Sequence, residues 1–225
     1  MNRAIILCSG GLDSVVCAHY VKKKLNYSSV TVLFFNYGQR SLKAERKAAR
    51  ACAVEIKARF VELQFKLNYL GAPLMQKNKR IRNQNSLHDT EREHSIWYVP
   101  GRNTLFLSHA LSFAESYSPS GEKTDIFVGF KCEGREPYPD TTPAYVKSVN
   151  LLARTAFKNI AILAPFIKKD KEDIIMLGQK LCVDLSTTMS CYAPTLRHCG
   201  TCLACRLRKQ GFYWANMHDP TSYSA

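Results

Sequence analysis

Apolar residues in the first two-thirds of the chain alternate between short solid runs and longer stretches of helical period. Residues 4–8 are one such run, and after the turn-like Ser9-Gly10-Gly11 the apolar spacing of residues 12–21 predicts a helix. Residues 30–35 predict a second strand, bounded by Ser28-Ser29 and by Asn36-Tyr37-Gly38. Residues 41–57, rich in Ala, Lys, Arg and Glu, predict a helix, and residues 59–63 a third, weaker strand. The alternation resumes with a helix over 103–117, a strand over 125–130, a helix over 143–157, a strand over 160–164 and a helix over 169–181. Residues 64–99 and 131–142 lack a period, and loops this long usually carry function or motion. Strands separated by helices of this length predict βαβ units, hence an α/β fold with a parallel sheet sandwiched by helices. Ligands of such folds bind at the carboxyl ends of the strands. The expected organisation is an α/β domain over residues 1–185 and a C-terminal subdomain over 186–225 packed on it.

Composition narrows the function classes. With 46% hydrophobic residues among 225, the chain has ample core material and is not a disordered protein. No run approaches the roughly 18 apolar residues of a membrane helix, and the first residues do not suit a secretory signal, so a soluble cytoplasmic protein is expected. Lys and Arg exceed Asp and Glu by 32 to 18, a net charge of +14. That surplus suits an anionic partner such as a nucleotide, a nucleic acid or a phosphorylated substrate, or else a solvated basic surface. The nine cysteines are unevenly placed: four crowd the C-terminal part, while Cys8, Cys17, Cys52, Cys132 and Cys182 are scattered. This pattern points to a reducing compartment, where clustered thiolates bind metal and lone ones act as small apolar fillers. His88, His94 and His198 receive no role.

Between the first strand and the first helix stands Ser9-Gly10-Gly11-Leu12-Asp13-Ser14. Two glycines let backbone amides approach an anion, and the helix N-terminus adds its positive dipole end. Ser9 and Ser14 can donate to phosphate oxygens, and Asp13 can hold a Mg²⁺ that bridges them. The Gly-Lys-Ser/Thr ending of a P-loop and the dinucleotide Gly-x-Gly-x-x-Gly pattern are both missing. A merely capped helix after a glycine turn is the plain alternative. The full hexapeptide in this setting resembles the pyrophosphatase-loop ATPases, which cleave ATP between the α- and β-phosphates.

The second motif is Cys191, Cys199, Cys202 and Cys205, spaced Cys-x₇-Cys-x₂-Cys-x₂-Cys. Two consecutive Cys-x-x-Cys steps bring thiolates to one point, and Gly200 permits the tight turn. Four sulfurs suit a closed, structural Zn²⁺ site, with an iron–sulfur cluster as the competing reading. Arg197, Arg206 and Arg208 are expected to offset the thiolate charge.

Together the motifs resemble the 7-cyano-7-deazaguanine synthase family of queuosine precursor biosynthesis, within the pyrophosphatase-loop ATPase superfamily. The resemblance runs along most of the chain. It takes in the Ser9–Ser14 loop, Tyr37-Gly38-Gln39-Arg40, Val99-Pro100-Gly101-Arg102-Asn103, Tyr138-Pro139-Asp140, Ala164-Pro165 and Lys171. It closes with Thr188-Met189-Ser190-Cys191-Tyr192, the cysteine run to Cys205, Gly211-Phe212 and Asp219-Pro220-Thr221. It implies an adenine nucleotide alpha hydrolase-like, Rossmann-like sheet and a ligase. ATP adenylates 7-carboxy-7-deazaguanine, free ammonia displaces AMP to give an amide, and a second adenylation followed by loss of AMP gives the nitrile.

Residue by residue, the resemblance implies ATP contacts from Cys8, Ser9, Gly10, Gly11, Leu12, Asp13, Ser14, Gln39, Arg102 and Asn103. Catalytic roles fall to Asp13, Lys171 and Arg102, the latter two as clamps on the phosphates. Arg102 and Asn103 suit the adenine or ribose equally well. Substrate contacts fall to Tyr37, Glu133, Tyr138 and Asp140, the carboxylates suiting the amino edge of a guanine-like ring. Adenylation performs the activation, which accounts for the lack of a Ser-His-Asp arrangement. A homodimer is also implied, and Gly211-Phe212-Tyr213-Trp214 is aromatic enough for a packed contact within the chain or across it.

Residues 132–142 depart from the family pattern, with Glu136-Pro137 before the tyrosine and Thr141-Thr142 in place of Cys-Arg. This departure, with the basic Lys77, Lys79, Arg80 and Arg82, supports an alternative expectation. Similar enzymes of anti-phage defence join a deazaguanine to a protein amine, so the acceptor would then be a protein. A tRNA-modifying relative and a non-enzymatic zinc-stapled binding module complete the alternatives.

Overall fold

Five parallel strands form one sheet in the order β3-β2-β1-β4-β5. They are β1 (Arg3–Leu7), β2 (Ser29–Asn36), β3 (Arg59–Gln64), β4 (Thr124–Val128) and β5 (Ile160–Leu163). The helices are α1 (Leu12–Lys23), α2 (Leu42–Glu55), α3 (Arg102–Tyr117), α4 (Pro143–Ala156), α5 (Lys171–Lys180) and α6 (Leu203–Trp214). This computed structural model describes residues 2–67, 73–75, 97–117, 122–131 and 138–224. The expected parallel α/β sheet is the one found.

Alternate residues of each strand feed two separate cores. Ala4 and Ile6 of β1, with Cys8 just beyond it, join Val16 of α1, Phe34 of β2, Phe127 of β4 and Phe212 of α6 on one face. Ile5 joins Leu33, Ile126 and the α3 residues Leu107 and Leu111 on the other. Burial on both faces explains why the central strands read as solid apolar runs.

Chain order places the site. From β1 the sheet grows outward to β2 and β3, then the chain crosses back to lay β4 along the other side of β1, with Leu7 paired to both Leu33 and Val128. The carboxyl ends of β1 and β4 therefore flank the point where strand order reverses, which is where such sheets open a crevice.

Boundaries differ modestly from the sequence pattern, each for a local reason. Strand β4 stops at Val128, short of residue 130, because Gly129 lies against the start of α1. Helix α5 begins at Lys171, two residues later than the pattern suggests. There the Asp173 carboxylate accepts the Asp170 N–H at 3.2 Å and closes the N-terminus. Thr142, one of the two unexpected threonines, caps α4 by accepting the Tyr145 N–H at 3.1 Å, with Pro143 opening the helix.

Residues 186–224 wrap back over the sheet's carboxyl end. The Met189 N–H donates to the Gly10 carbonyl at 2.8 Å, and α6 packs on α5. Arg208 is 1% exposed, and its charge does not serve the cysteines as expected. Its guanidinium pairs with Asp219 at 3.2 Å and donates to Thr188 Oγ1 at 2.6 Å and the Leu185 carbonyl at 2.8 Å, tying three segments together. Gly211 and Phe212 are buried, whereas Tyr213 and Trp214 are exposed, their rings meeting edge to face at 5.2 Å.

Candidate active site

The loop after β1 is shaped by what surrounds it. Gly10 has φ +80°, and a Cβ there would meet the Glu45 carbonyl oxygen at 2.5 Å and Ala48 Cβ at 2.8 Å, so only glycine lets the loop sit on α2. From the other side Gly129 approaches so closely that its Cβ would lie 3.0 Å from the Asp13 and Ser14 backbone. Within the loop, Ser9 Oγ accepts the Gly11 N–H at 3.3 Å, and Ser14 Oγ donates to the Gly11 carbonyl at 2.9 Å. The two hydroxyls stand 3.4 Å apart at the N-terminus of α1, an arrangement of donors and dipole that suits an anion.

Folding brings Lys171 to this loop from 158 residues away. Its Nζ donates to both oxygens of Asp13, at 2.8 and 2.6 Å. The path of the side chain depends on α6: a Cβ on Gly211 would lie 2.3 Å from Lys171 Cγ. The C-terminal segment therefore bears on the Ser9–Ser14 loop twice, through Met189 and through Gly211.

A cavity of about 350 Å³ opens beside the loop, within the size range of small-molecule sites. Cys8, Ser9, Gly11, Leu12, Asp13, Ser14 and Lys171 line it on the loop side; Tyr37, Gln39, Arg102, Asn103, Tyr138 and Asp140 line it elsewhere. Of the residues expected at the site, Gly10 stands behind this wall and Glu133 lies outside the described residues, as do Lys77, Lys79, Arg80 and Arg82. The scattered Cys8, Cys17 and Cys52 are buried as expected, but Cys182 is exposed at φ +51°.

Several lining residues have their polar groups committed. Gln39 Oε1 accepts the Tyr37 N–H at 3.0 Å, while its Nε2 donates to the Phe35 carbonyl at 2.9 Å and to Glu45 Oε2 at 3.0 Å. Asp140 Oδ2 accepts the Asn103 N–H at 3.3 Å, and Asn103 Nδ2 donates to the Asp140 carbonyl at 3.4 Å, so the two are positioned as a pair at the start of α3. Tyr138 stacks on Tyr98 with ring centroids 5.5 Å apart. Arg102 Nη1 donates to the Tyr37 hydroxyl at 3.5 Å, and its guanidinium carbon lies 6.0 Å from the Tyr37 ring and 5.9 Å from the Phe106 ring. Burial pushes the Tyr37 phenol up to about 12, with Arg102 opposing and Glu45 reinforcing the shift.

Sequence reasoning missed Glu45, Gly129 and Trp97, which packs on Tyr192 at 4.8 Å. In a run of Ala, Lys, Arg and Glu, Glu45 reads as one more helix former, and nothing local marks it as facing the cavity.

The sulfurs of Cys191, Cys199, Cys202 and Cys205 all lie within 4.8 Å of one another, a set that could hold a metal ion. Backbone N–H groups of Ala193 and Cys199 donate to Cys191 Sγ, and that of Cys202 to Cys199 Sγ, each at 3.3 Å. The unexpected cation here is Arg40: burial lowers its proton affinity, and the sulfurs of Cys191 and Cys202 act in the opposite direction. His198 is structural, its Nε2 accepting the Ser190 N–H at 3.0 Å.

Comparison with known proteins gives one family. The model described as "Queuosine biosynthesis protein QueC" matches residues 3–216. A 7-cyano-7-deazaguanine synthase from Rickettsia felis is 36% identical over 234 residues, covering 99% of this chain and 100% of the relative. One from the archaeon Methanosphaera stadtmanae is 34% identical over 229 residues, covering 98% of each. A solved structure, NMN synthetase from Francisella tularensis, aligns over 96% of this chain and 78% of that one at 13% identity, with a TM-score of 0.48.

Proposed function

The chain belongs to the QueC family of queuosine biosynthesis proteins, and from that membership we propose that it makes 7-cyano-7-deazaguanine from 7-carboxy-7-deazaguanine, ammonia and ATP. The observation that carries the reading is the Asp13–Lys171 pair at the helix N-terminus, inside a cavity walled by Tyr37, Arg102 and Tyr138. A carboxylate is a poor electrophile until its oxygen becomes a leaving group. The loop amides, Ser9, Ser14 and Lys171 hold the pyrophosphate as negative charge gathers on it, and this electrostatic support is what the reaction needs. ATP enters as a substrate of this C–N ligase and leaves as AMP and pyrophosphate.

Mg²⁺ suits the site, because Asp13 and the two hydroxyls are hard oxygen donors. Asp13 keeps unused lone pairs beside its Lys171 bonds, since a carboxylate offers about four. When bound, the ion neutralises phosphate charge. Arg102 is the second clamp, its Nε without a partner among the described residues. Gln39, fully engaged within the chain, acts by holding Glu45 and the end of β2. Tyr138 and Asn103–Asp140 form the wall against which the deazaguanine or the nucleoside lies.

Zn²⁺ suits the four cysteines. Tetrahedral Zn–S bonds of about 2.3 Å place sulfurs roughly 3.8 Å apart. The Cys191–Cys202 and Cys199–Cys205 pairs stand at 3.9 and 4.0 Å. A cluster of several irons would spread the sulfurs around a larger core. A thiol-rich chain suits a reducing cytoplasm. No observation favours the protein-acceptor alternative.

The test is direct. Incubation with ATP, Mg²⁺, ammonium and 7-carboxy-7-deazaguanine yields the nitrile by mass spectrometry, with release of AMP and pyrophosphate. AMP and pyrophosphate without nitrile would refute the product assignment, and no acid-dependent AMP would refute the reading altogether.

A further inference from the structure

The residue at the site with no assigned task is Glu45. It sits in the first turn of α2 and lines the cavity. The side chain is held in place: Ser41 Oγ donates to Oε1 at 2.5 Å and Gln39 Nε2 to Oε2 at 3.0 Å. Gln39 is itself locked by the Tyr37 N–H and the Phe35 carbonyl, so the two hydrogen bonds that reach the carboxylate come from fixed donors. Among the described residues no Lys or Arg makes a contact ion pair with it, in contrast to Asp13, Glu62 and Asp219. The Arg102 guanidinium acts on it only from beyond contact distance.

A half-buried carboxylate without a cation at contact distance is costly, and such groups are normally paired. Here both neighbours at contact distance are neutral donors, which orient the carboxylate, and Arg102 offsets its charge only from a distance. The cavity therefore presents an oriented anionic acceptor whose field reaches the Tyr37 phenol. Burial raises the Glu45 carboxyl above the usual range, against the hydrogen bonds from Ser41 and Gln39 and the field of Arg102, which fits a group that takes up and releases a proton.

The proposed reaction needs such a group. Ammonia in neutral water is almost entirely ammonium, which has no lone pair for attack. We propose that Glu45 is the ammonium-binding residue of the cavity and the base that converts bound ammonium to ammonia beside the adenylated carboxylate. This rests on the synthase reading above. One N–H bond breaks and its proton passes to a Glu45 oxygen. The freed nitrogen pair forms the C–N bond to the acyl carbon, while the bond from that carbon to the AMP oxygen breaks and AMP leaves with its electron pair. The attacking nitrogen loses a second proton to water, and the Glu45 proton follows it out. Glu45 also adjoins the loop directly, since its carbonyl oxygen is the atom that Gly10 approaches.

The experiment compares two nucleophiles on the full-length enzyme. Hydroxylamine is largely unprotonated at neutral pH and traps acyl adenylates as hydroxamates, so it bypasses both cation binding and the proton transfer. In Glu45→Gln the KM for ammonium rises tenfold or more, while hydroxamate formation falls less than threefold. Equal losses with both nucleophiles, or a rise confined to the KM for the acid or ATP, would overturn the proposal. A measurement on the wild-type enzyme covers the case of a variant that does not fold. Potassium, close to ammonium in radius, inhibits competitively against ammonium and not against hydroxylamine, whereas lithium at equal ionic strength does neither. Absence of potassium competition would show that nitrogen enters as neutral ammonia and would overturn the proposal. Acid-dependent exchange of pyrophosphate into ATP is the check on the underlying reading: its absence in the wild type removes both, and its presence isolates the Glu45 step.

Discussion

The Ser9–Ser14 loop and the four-cysteine segment are two chemically dense regions of this protein, and they are assembled in opposite ways. Three of the four cysteines lie within seven residues, and the spacing alone brings their sulfurs together. The Ser9–Ser14 loop has a local backbone, but its cation comes from Lys171, 158 residues from Asp13, and its shape from Gly129 and α2. A set of cysteines that could hold a metal can thus be written in a short stretch of sequence, while the cavity needs groups that only tertiary packing delivers. The two are joined, since Met189 and Gly211 of the C-terminal segment bear on the loop and on Lys171.

The comparison can be broken most strongly at Asp13. In Asp13→Ala, AMP formation falls by roughly 10²–10³-fold or more, as for loss of a group that stabilises developing charge. The melting temperature stays within a few degrees, because Asp13 is at the rim of the cavity. Unchanged AMP production would remove Asp13 from the reaction.

Metal removal comes next. Stripping with a strong chelator, or Cys202→Ser, should lower stability by several kcal/mol, since binding energy at a structural site is folding energy. Because Met189 leans on Gly10, the KM for ATP should rise at the same time. A chelated protein that melts unchanged yet binds ATP normally would mean that the two regions are independent.

Gly211→Ala tests the junction itself at a smaller scale. The added methyl displaces the Lys171 side chain, so turnover should fall about tenfold while stability falls by about 1–3 kcal/mol. A drop in stability alone would show that Lys171 can relocate without consequence.

The smallest effect separates the regions by acid. His19 on α1 is fully buried, neither ring nitrogen has a hydrogen-bond partner among the described residues, and Glu55 stands 3.4 Å away. Burial, helped by Lys23, lowers it from 6.5 to about 4. As pH falls from 6.5 towards 4, the unfolded chain takes a proton that the folded one refuses, so stability declines across that window and is unaffected above it. His19→Leu should flatten this slope in urea unfolding without altering metal content. A slope that persists in the variant would assign acid sensitivity to the cysteine segment.

Much of the fold was legible. The solid runs of β1, β2, β4 and β5 and the helices between them follow from burial of both sheet faces. The Ser9–Ser14 hexapeptide is legible because a glycine at φ +80° and hydroxyls at a helix start are local requirements. Helix α6 was not delineated, because cysteines, arginines and Gly211 interrupt its apolar period. Arg208 was misassigned to the thiolates for a similar reason. Nearness in sequence suggested a partner, but burial against Asp219, Thr188 and Leu185 outweighed it.

By itself the sequence determined the strand and helix order, the glycine-and-serine loop after β1 and the grouping of four cysteines, since each depends on residues within a turn or two of one another. Only the tertiary structure decided that Lys171 reaches Asp13, that Arg40 rather than Arg208 faces the cysteines, and that Glu45 turns its carboxylate to the cavity. Those outcomes depend on which helix faces pack together and where glycines permit close approach, and no local spacing carries that information.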